Sequence, residues 1–226
     1  MSVGEKKHIS APAWLMEFTA NASESFVTAY YAASDSPQRG NLLPSLYLPN
    51  SSISWNGNPI SGATQYKQWL ETHPGSQHEI QSFDCHPLGP FDAYDQNVAP
   101  SLMLNVSGTV AHYTPESLAT DQSNAPKSAT STGGASGHSS GGASSKRKFN
   151  ADAPIETYPR VFSQSFVLIN GAGTGAEGGV PFVWMPSRSS NGSGKGSKNI
   201  ANSDKATETR TVAKYFIQAD CFRFVG

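Results

Sequence analysis

The chain has 226 residues, a net charge of −1 from 16 basic and 17 acidic side chains, 37% hydrophobic residues and two cysteines. A balance this close to neutral excludes the basic excess of an autonomous nucleic-acid binder, and Cys85 and Cys221, far apart and outside any CxxC or Cys/His spacing, exclude a zinc motif. No apolar run approaches the ~20 residues of a membrane span and the start has no secretory pattern, which points to an intracellular chain with reduced thiols, no membrane association and no use for the sequons at Asn21, Asn50, Asn105 and Asn191.

In chain order, Trp14, Phe18, Ala22, Phe26, Tyr30 and Ala33 recur at intervals of four or three, which places them on one face of a long helix between Pro12 and Asp35. Asp35-Ser36-Pro37 ends it, because the residue before a proline is driven out of the α region. Leu42, Leu43, Leu46 and Tyr47 give a second, short helix that Pro44 begins or kinks. A strand follows at Ser52–Asn56, and Asn56-Gly57-Asn58-Pro59 supplies the positive-φ and fixed-φ positions of a tight reversal. Ile60 leaves room for a stub of return strand. Tyr66, Trp69 and Leu70 then mark a third helix, stopped by His73-Pro74-Gly75.

Four segments, Gln77–Leu88, Ser101–His112, Arg160–Ile169 and Arg210–Phe224, have the β-branched and aromatic content of strands and are long enough to predict bent antiparallel strands. From Ser128 to Ser145 only His138 is not Ser, Thr, Ala or Gly. Such a composition cannot offset the entropy of ordering, so the insertion 113–158 is expected to be disordered. The Gly/Ser-rich stretch 170–209 is expected to be flexible, with an apolar island, Val180–Met185, able to extend the preceding hairpin as strand. Without both stretches about 140 residues remain, the size of one core. Residues 1–226 therefore read as a single α+β domain, three N-terminal helices packed on a long curved antiparallel sheet.

Chemical motifs are weak. Gly171-Ala172-Gly173-Thr174-Gly175 lacks the βαβ context of a dinucleotide site, and Gly194-Lys195-Gly196-Ser197 lacks the strand and helix of a P-loop, so no cofactor is expected. His73, His78, His86 and His112 with Asp84, Asp92 and Asp95 pair no nucleophile with a base at recognisable spacing; no catalytic residue and no metal ligand is assigned. Lys146, Arg147 and Lys148 form a basic block, and Lys195 and Lys198 lie in a locally basic run. Both suit solvated loops first and weak RNA or partner contact second.

The strands carry bulk on both faces. Phe162, Gln164, Phe166 and Leu168 alternate with Val161, Ser163, Ser165, Val167 and Ile169, and Phe216, Phe222 and Phe224 oppose Tyr215, Ile217, Cys221 and Arg223. Three helices cover one side of a sheet, so the second side calls for a partner. Arg223 among aromatics either stacks over a ring or forks onto a carboxylate, both habits of interface arginines. Asp84 and Asp220 read as internal acceptors or partner-facing groups alike.

This order of elements resembles the nuclear transport factor 2-like fold. Phe26-Val27 with Tyr30-Tyr31, Asp35, Arg39, Leu43, Leu46-Tyr47, Trp55-Asn56-Gly57-Asn58 with Ser61-Gly62, Asp84-Cys85 with Pro87, Gly108 with Val110, Arg160 and the closing Asp220-Cys221-Phe222-Arg223-Phe224 resemble the small subunit of the mRNA export receptor, known in animals as a nuclear-transport-factor-related export protein and in fungi as mRNA transport regulator 2. The resemblance implies a non-enzymatic chain, shuttling between nucleus, nuclear pore and cytoplasm. It would pair sheet against sheet with the related domain of the large subunit, contact phenylalanine-glycine nucleoporins, and support export of mRNA and, in fungi, of large ribosomal subunits. It implies that Arg223 meets an acidic residue of the large subunit, and the interface set expected on this reading is Arg223, Asp84, Phe162, Gln164, Phe166, Asp220 and Phe222. The two insertions depart from compact animal members and suggest a filamentous fungal one. A homodimeric carrier like nuclear transport factor 2 itself, or an isomerase or dehydratase using the pocket between helices and sheet, are the alternatives.

Overall fold

The expected helix face is buried along α1 (Ala13–Ser34) in the computed structural model, which describes residues 11–89, 98–113, 158–184 and 211–225. Phe18, Ala22, Phe26 and Tyr30 point into the core, while Met16 at the solvent face stays half exposed. The short helix is a single turn of α2 (Arg39–Leu42) that tightens into a 3-10 turn (Leu43–Leu46) over Pro44. The chain then enters β1 (Tyr47–Trp55), reverses, and returns as β2 (Asn58–Ser61) into α3 (Gly62–Thr72). The reversal has φ +46° at Asn56 and +87° at Gly57, as an Asn-Gly hairpin turn demands. Gly62 starts α3 at φ +72°, and a Cβ there would lie 2.2 Å from the Pro49 carbonyl oxygen. The Ser61-Gly62 pair is thus a close approach of two backbones, which only glycine permits.

The remaining strands are β3 (Gly75–Leu88), β4 (Ser101–Tyr113), β5 (Arg160–Asn170), β6 (Val180–Trp184) and β7 (Thr211–Phe224). The sheet order is β2-β1-β7-β5-β4-β3, with β6 also paired to β7. Two features depart from the expected antiparallel sheet. β1 runs parallel to β7, with Ser54 opposite Cys221 and Trp55 opposite Phe222. The apolar island pairs with β7, Val183 opposite Val212, rather than extending β5.

Residues 170–184 are folded, against the expectation of flexibility from 170 onward. Gly171 N–H donates to Lys214 O (2.8 Å) and Gly179 N–H to Ser45 O (2.9 Å), and Phe182 and Trp184 pack edge-on against Phe18. The rest of that stretch, like residues 114–157 of the other insertion, lies outside the described residues.

A bulge in β7 corrects the face assignment made from simple alternation. Leu168 faces Ile217 but Val167 faces Ala219, so one residue is skipped and the inward parity changes. Tyr215 and Ile217 therefore share the buried face with Asp220 and Phe222. Phe216, on the other face, is covered by its own chain, between Gly171 and Gly179. Helices and inner face together form a cone filled by aromatics: Phe166 meets Phe26 at 5.4 Å and Tyr30 at 4.8 Å, and Trp55 stacks on Phe222 at 3.9 Å and 5°.

Candidate partner-docking face

Five of the seven residues expected at the interface lie inside the cone. Phe162, Gln164, Phe166, Phe222 and Asp220 are at most 4% exposed, because the even-numbered side chains of β5 point toward α1 and the bulge carries Asp220 and Phe222 inward with them. They build the interior: Tyr31 Oη donates to Gln164 Oε1 (2.8 Å), Gln164 Nε2 donates to Asp220 Oδ1 (2.8 Å) and Tyr47 Oη donates to Asp220 Oδ2 (2.6 Å). Burial pushes the Asp220 carboxyl up to about 6, opposed by the hydrogen bonds from Tyr47, Gln164 and Tyr30. Desolvation likewise holds the Tyr30 and Tyr47 hydroxyls well above their ordinary range, so both remain donors.

Arg223 and Asp84 are on the opposite, outer face, both exposed. The register sorts that face into rows across the strands. One row runs His86, Met103, Val167, Ala219, Ser52; the next runs Asp84, Asn105, Ser165, Cys221, Ser54. A third runs Ser82, Ser107, Ser163, Arg223, and a fourth is Glu79, Thr109, Val161, where Val225 N–H closes onto Val161 O (2.9 Å). Small polar side chains fill the middle, tied to one another by Ser82–Ser107 (2.8 Å) and Ser165–Asn105 (2.7 Å) hydrogen bonds. Val161 and Met103, in the fourth and first rows, stay 47% and 37% exposed. Ser52, Ser54, Ser165, Ala219 and Cys221 are short enough to leave an open hollow of about 240 Å³ beside Met103 and Val167.

The Arg223 side chain makes no hydrogen bond or ion pair among the described residues, and Asp84, Ser82 and Arg223 in rows two and three are exposed. Of the two readings of this arginine, ring stacking falls instead to Arg160, whose guanidinium lies 3.7 Å from the Phe224 ring centre. The serine rows were not singled out from sequence. Their signal was the Ser163, Ser165 alternation opposite Phe162, Gln164 and Phe166, which marks a flat outer face rather than a bulky one. Lys146, Arg147, Lys148, Lys195 and Lys198 lie outside the described residues, as do Asp92 and Asp95.

The four described histidines occupy separate settings. His78 is bound to Asp35 (Nδ1 to Oδ1, 2.6 Å), which fastens β3 to the end of α1. His86 is exposed on the outer face. His73 and His112 sit at the cone mouth, rings 5.2 Å apart, beside a cavity of about 20 Å³ shared with Tyr66, Trp69 and Gln164. That is room for a single water, against the several hundred Å³ of a substrate pocket. Among the described residues no cluster of three or more His, Cys, Asp or Glu could hold a metal ion.

Residues 22–123 match the family profile of the nuclear transport factor 2 (NTF2) domain. Human NTF2-related export protein 2 is 33% identical over 89 residues, covering 39% of this chain and 59% of that protein. The NTF2-related export protein of Caenorhabditis elegans is 32% identical over 90 residues, covering 40% and 63% respectively. Matches of this kind span about half to two thirds of the relatives' length, 46% to 63%. Among solved structures, the Chaetomium thermophilum Mex67 NTF2-like domain complexed with Mtr2 aligns with a TM-score of 0.47 at 16% identity, over 92% of this chain and 99% of that one. The domain match runs from within α1 past β4 and takes in α2, α3 and β1 to β3, so this part of the chain is similar to the NTF2 domain.

Proposed function

We propose that the chain is the small, non-catalytic subunit of a heterodimeric nuclear export receptor. On this reading its outer face docks against the related domain of a large subunit. The pair passes nuclear pores by contacts with phenylalanine-glycine nucleoporins, carrying mRNA and large ribosomal subunits between nucleus and cytoplasm. The observation that carries it is Arg223, exposed and without a charged partner on a sheet face that the described residues leave uncovered. An arginine so placed, near a hollow and the exposed Met103 and Val161, suits a surface covered by protein. Similarity to proteins named for export, and an interior filled with aromatics, support transport over chemistry. The five basic residues named above are assigned weak RNA contact within the same proposal.

Calorimetric titration of the full chain with the large subunit's NTF2-like domain tests it. Tight one-to-one binding is expected, and Arg223→Ala should weaken it by ~2–5 kcal/mol through loss of a buried charged hydrogen bond. Unchanged affinity of the variant removes Arg223 from the interface, and absence of binding by the unaltered chain overturns the proposal.

A further inference from the structure

The free edge of the sheet is closed at both ends and open in between. β3 pairs with β4 on one side and ends the sheet order; no described strand pairs with its other side. In an antiparallel ladder alternate residues turn their N–H and C=O toward the partner strand or away from it. His78 N–H donates to the Asp35 carboxylate (2.8 Å), so here β3 points away from β4 and the end of α1 caps the edge. Val110, opposite His78, therefore turns toward β5, as do Gly108, Val106 and Leu104 by alternation. The register skips Gln81, and beyond that bulge Phe83 and Cys85, opposite Val106 and Leu104, are the residues that turn outward. Pro87, next in the outward set, has no N–H and ends the open stretch. Phe83 and Cys85 thus present two N–H and two C=O groups to the edge, and none of these makes a backbone hydrogen bond to another described segment.

The side chains beside this window say what fits it. On the inner side Phe83 and Cys85 are half-buried and pack against the core; on the outer side Asp84 and Glu79 are exposed. Neither α1 nor β3 contains a Lys or Arg to balance these carboxylates. A second β3 added antiparallel over the window would set Asp84 against Asp84, a like-charge pair that disfavours it. We infer that the Phe83–Cys85 window accepts an extended segment of another protein as an added strand, one that alternates apolar with Lys or Arg side chains. The residues directly opposite Phe83 and Cys85 exchange backbone hydrogen bonds with them and share their inner face, so these are the apolar ones. The basic side chains then fall on the outer side, beside Asp84 and Glu79. This site is an edge rather than the outer face, and it stands whether or not the export reading does.

The probe is a fluorescein-labelled peptide of about seven residues alternating valine and lysine, titrated with the full chain by anisotropy while hydrogen exchange is read at the Phe83 and Cys85 amides. Saturable one-to-one binding is expected, and both amides, fast to exchange in the free chain, should slow by ~10-fold or more at saturation. The peptide N-methylated at its valines should bind ~10-fold or more weaker, whereas the peptide N-methylated at its lysines, of equal charge and size, should stay within about threefold of the parent. On the chain, Cys85→Pro removes an outward N–H without touching the β3–β4 ladder, and Asp84→Lys reverses the flanking charge; each should weaken binding by ~3-fold or more. The two methylated peptides need no variant, so they decide the matter even if Cys85→Pro does not fold. Equal affinity of those two peptides, or unchanged exchange at Phe83 and Cys85, overturns the inference. So does protection of both amides in the free chain: independent of concentration, it assigns the edge to another segment of this chain, and rising with concentration, to a second copy.

Discussion

Tyr47 donates a 2.6 Å hydrogen bond to Asp220 Oδ2, joining the first strand in the chain to the last, which lies beside it in the sheet. Tyr30 Oη lies 3.1 Å from Tyr47 Oη, and the Gln164 amide reaches both carboxylate oxygens, at 2.8 and 3.0 Å. One carboxylate thus gathers α1, β1, β5 and β7. A buried charge of this kind specifies an arrangement more than it stabilises one, because desolvation costs as much as its hydrogen bonds return. It is also what makes the aromatic interior a fixed core in place of a pocket.

The same carboxylate predicts a pH dependence. Its pKa is raised from 3.8 to about 6, so between those values the folded chain holds a proton that the unfolded chain has released. The contribution is fully present below the lower value and is lost as pH rises through the upper, on the order of 3 kcal/mol. Asp220→Asn should remove that fall. Urea titrations of both chains should show the variant gaining on the unaltered chain from pH 4 to pH 7; parallel curves would mean that Asp220 stays ionised in the fold.

His73 and His112 act with the opposite sign. Burial lowers each to about 4 from 6.5, helped by His112 and Arg39 around His73 and by His78 around His112. Between those values the unfolded chain binds protons that the folded chain refuses, so stability falls as pH drops from 6.5 toward 4. Paired replacement, His73→Gln with His112→Gln, should flatten that acid-side fall in thermal melts across this window. A fall of undiminished steepness assigns the acid sensitivity elsewhere.

Gly62→Ala should destabilise the fold by ~2 kcal/mol or more, since it sets a Cβ at positive φ and against the Pro49 carbonyl. Gly40→Ala is the matched control: nothing lies within 4 Å of its Cβ position and it sits in α2, so it should stabilise by ~0.5–1 kcal/mol. Equal melting temperatures for the two variants would show that the strand-to-helix junction relaxes freely.

Local signals in the sequence were sufficient for the elements, because each is set by residues within a turn or two of one another. The α1 periodicity, the Asn56-Gly57 reversal and the stop at Pro74-Gly75 all lie where they were expected. What depends on distant pairing was not legible. Alternation could not show the skipped residue between Ile217 and Ala219, and that one residue decides whether Asp220 and Phe222 face the helices or a partner. Nor does a hydrophobic island at 180–184 say which strand it joins, and the parallel pairing of β1 with β7 links segments more than 160 residues apart. Arg223 was legible as a charge that a filled core would not accept without a partner, whereas Asp84 was not, because Asp220 interrupts an apolar strand in the same way and lies in the core.

Arg39 supplies the last prediction. Its guanidinium donates to the carbonyls of Pro74 (2.6 Å), Leu70 (3.3 Å) and His73, one in the last turn of α3 and two in the segment that leaves it. A cation there also meets the negative end of the helix dipole. Arg39→Ala leaves three carbonyls unpaired in a half-buried seam and should cost ~2–3 kcal/mol. Arg39→Lys keeps the charge but, as a point donor, cannot span three carbonyls, and should recover less than half of the loss. Denaturant titration of both variants separates the contributions: full recovery by lysine would make the dipole the dominant interaction, and a neutral alanine variant would show that water replaces the guanidinium at no cost.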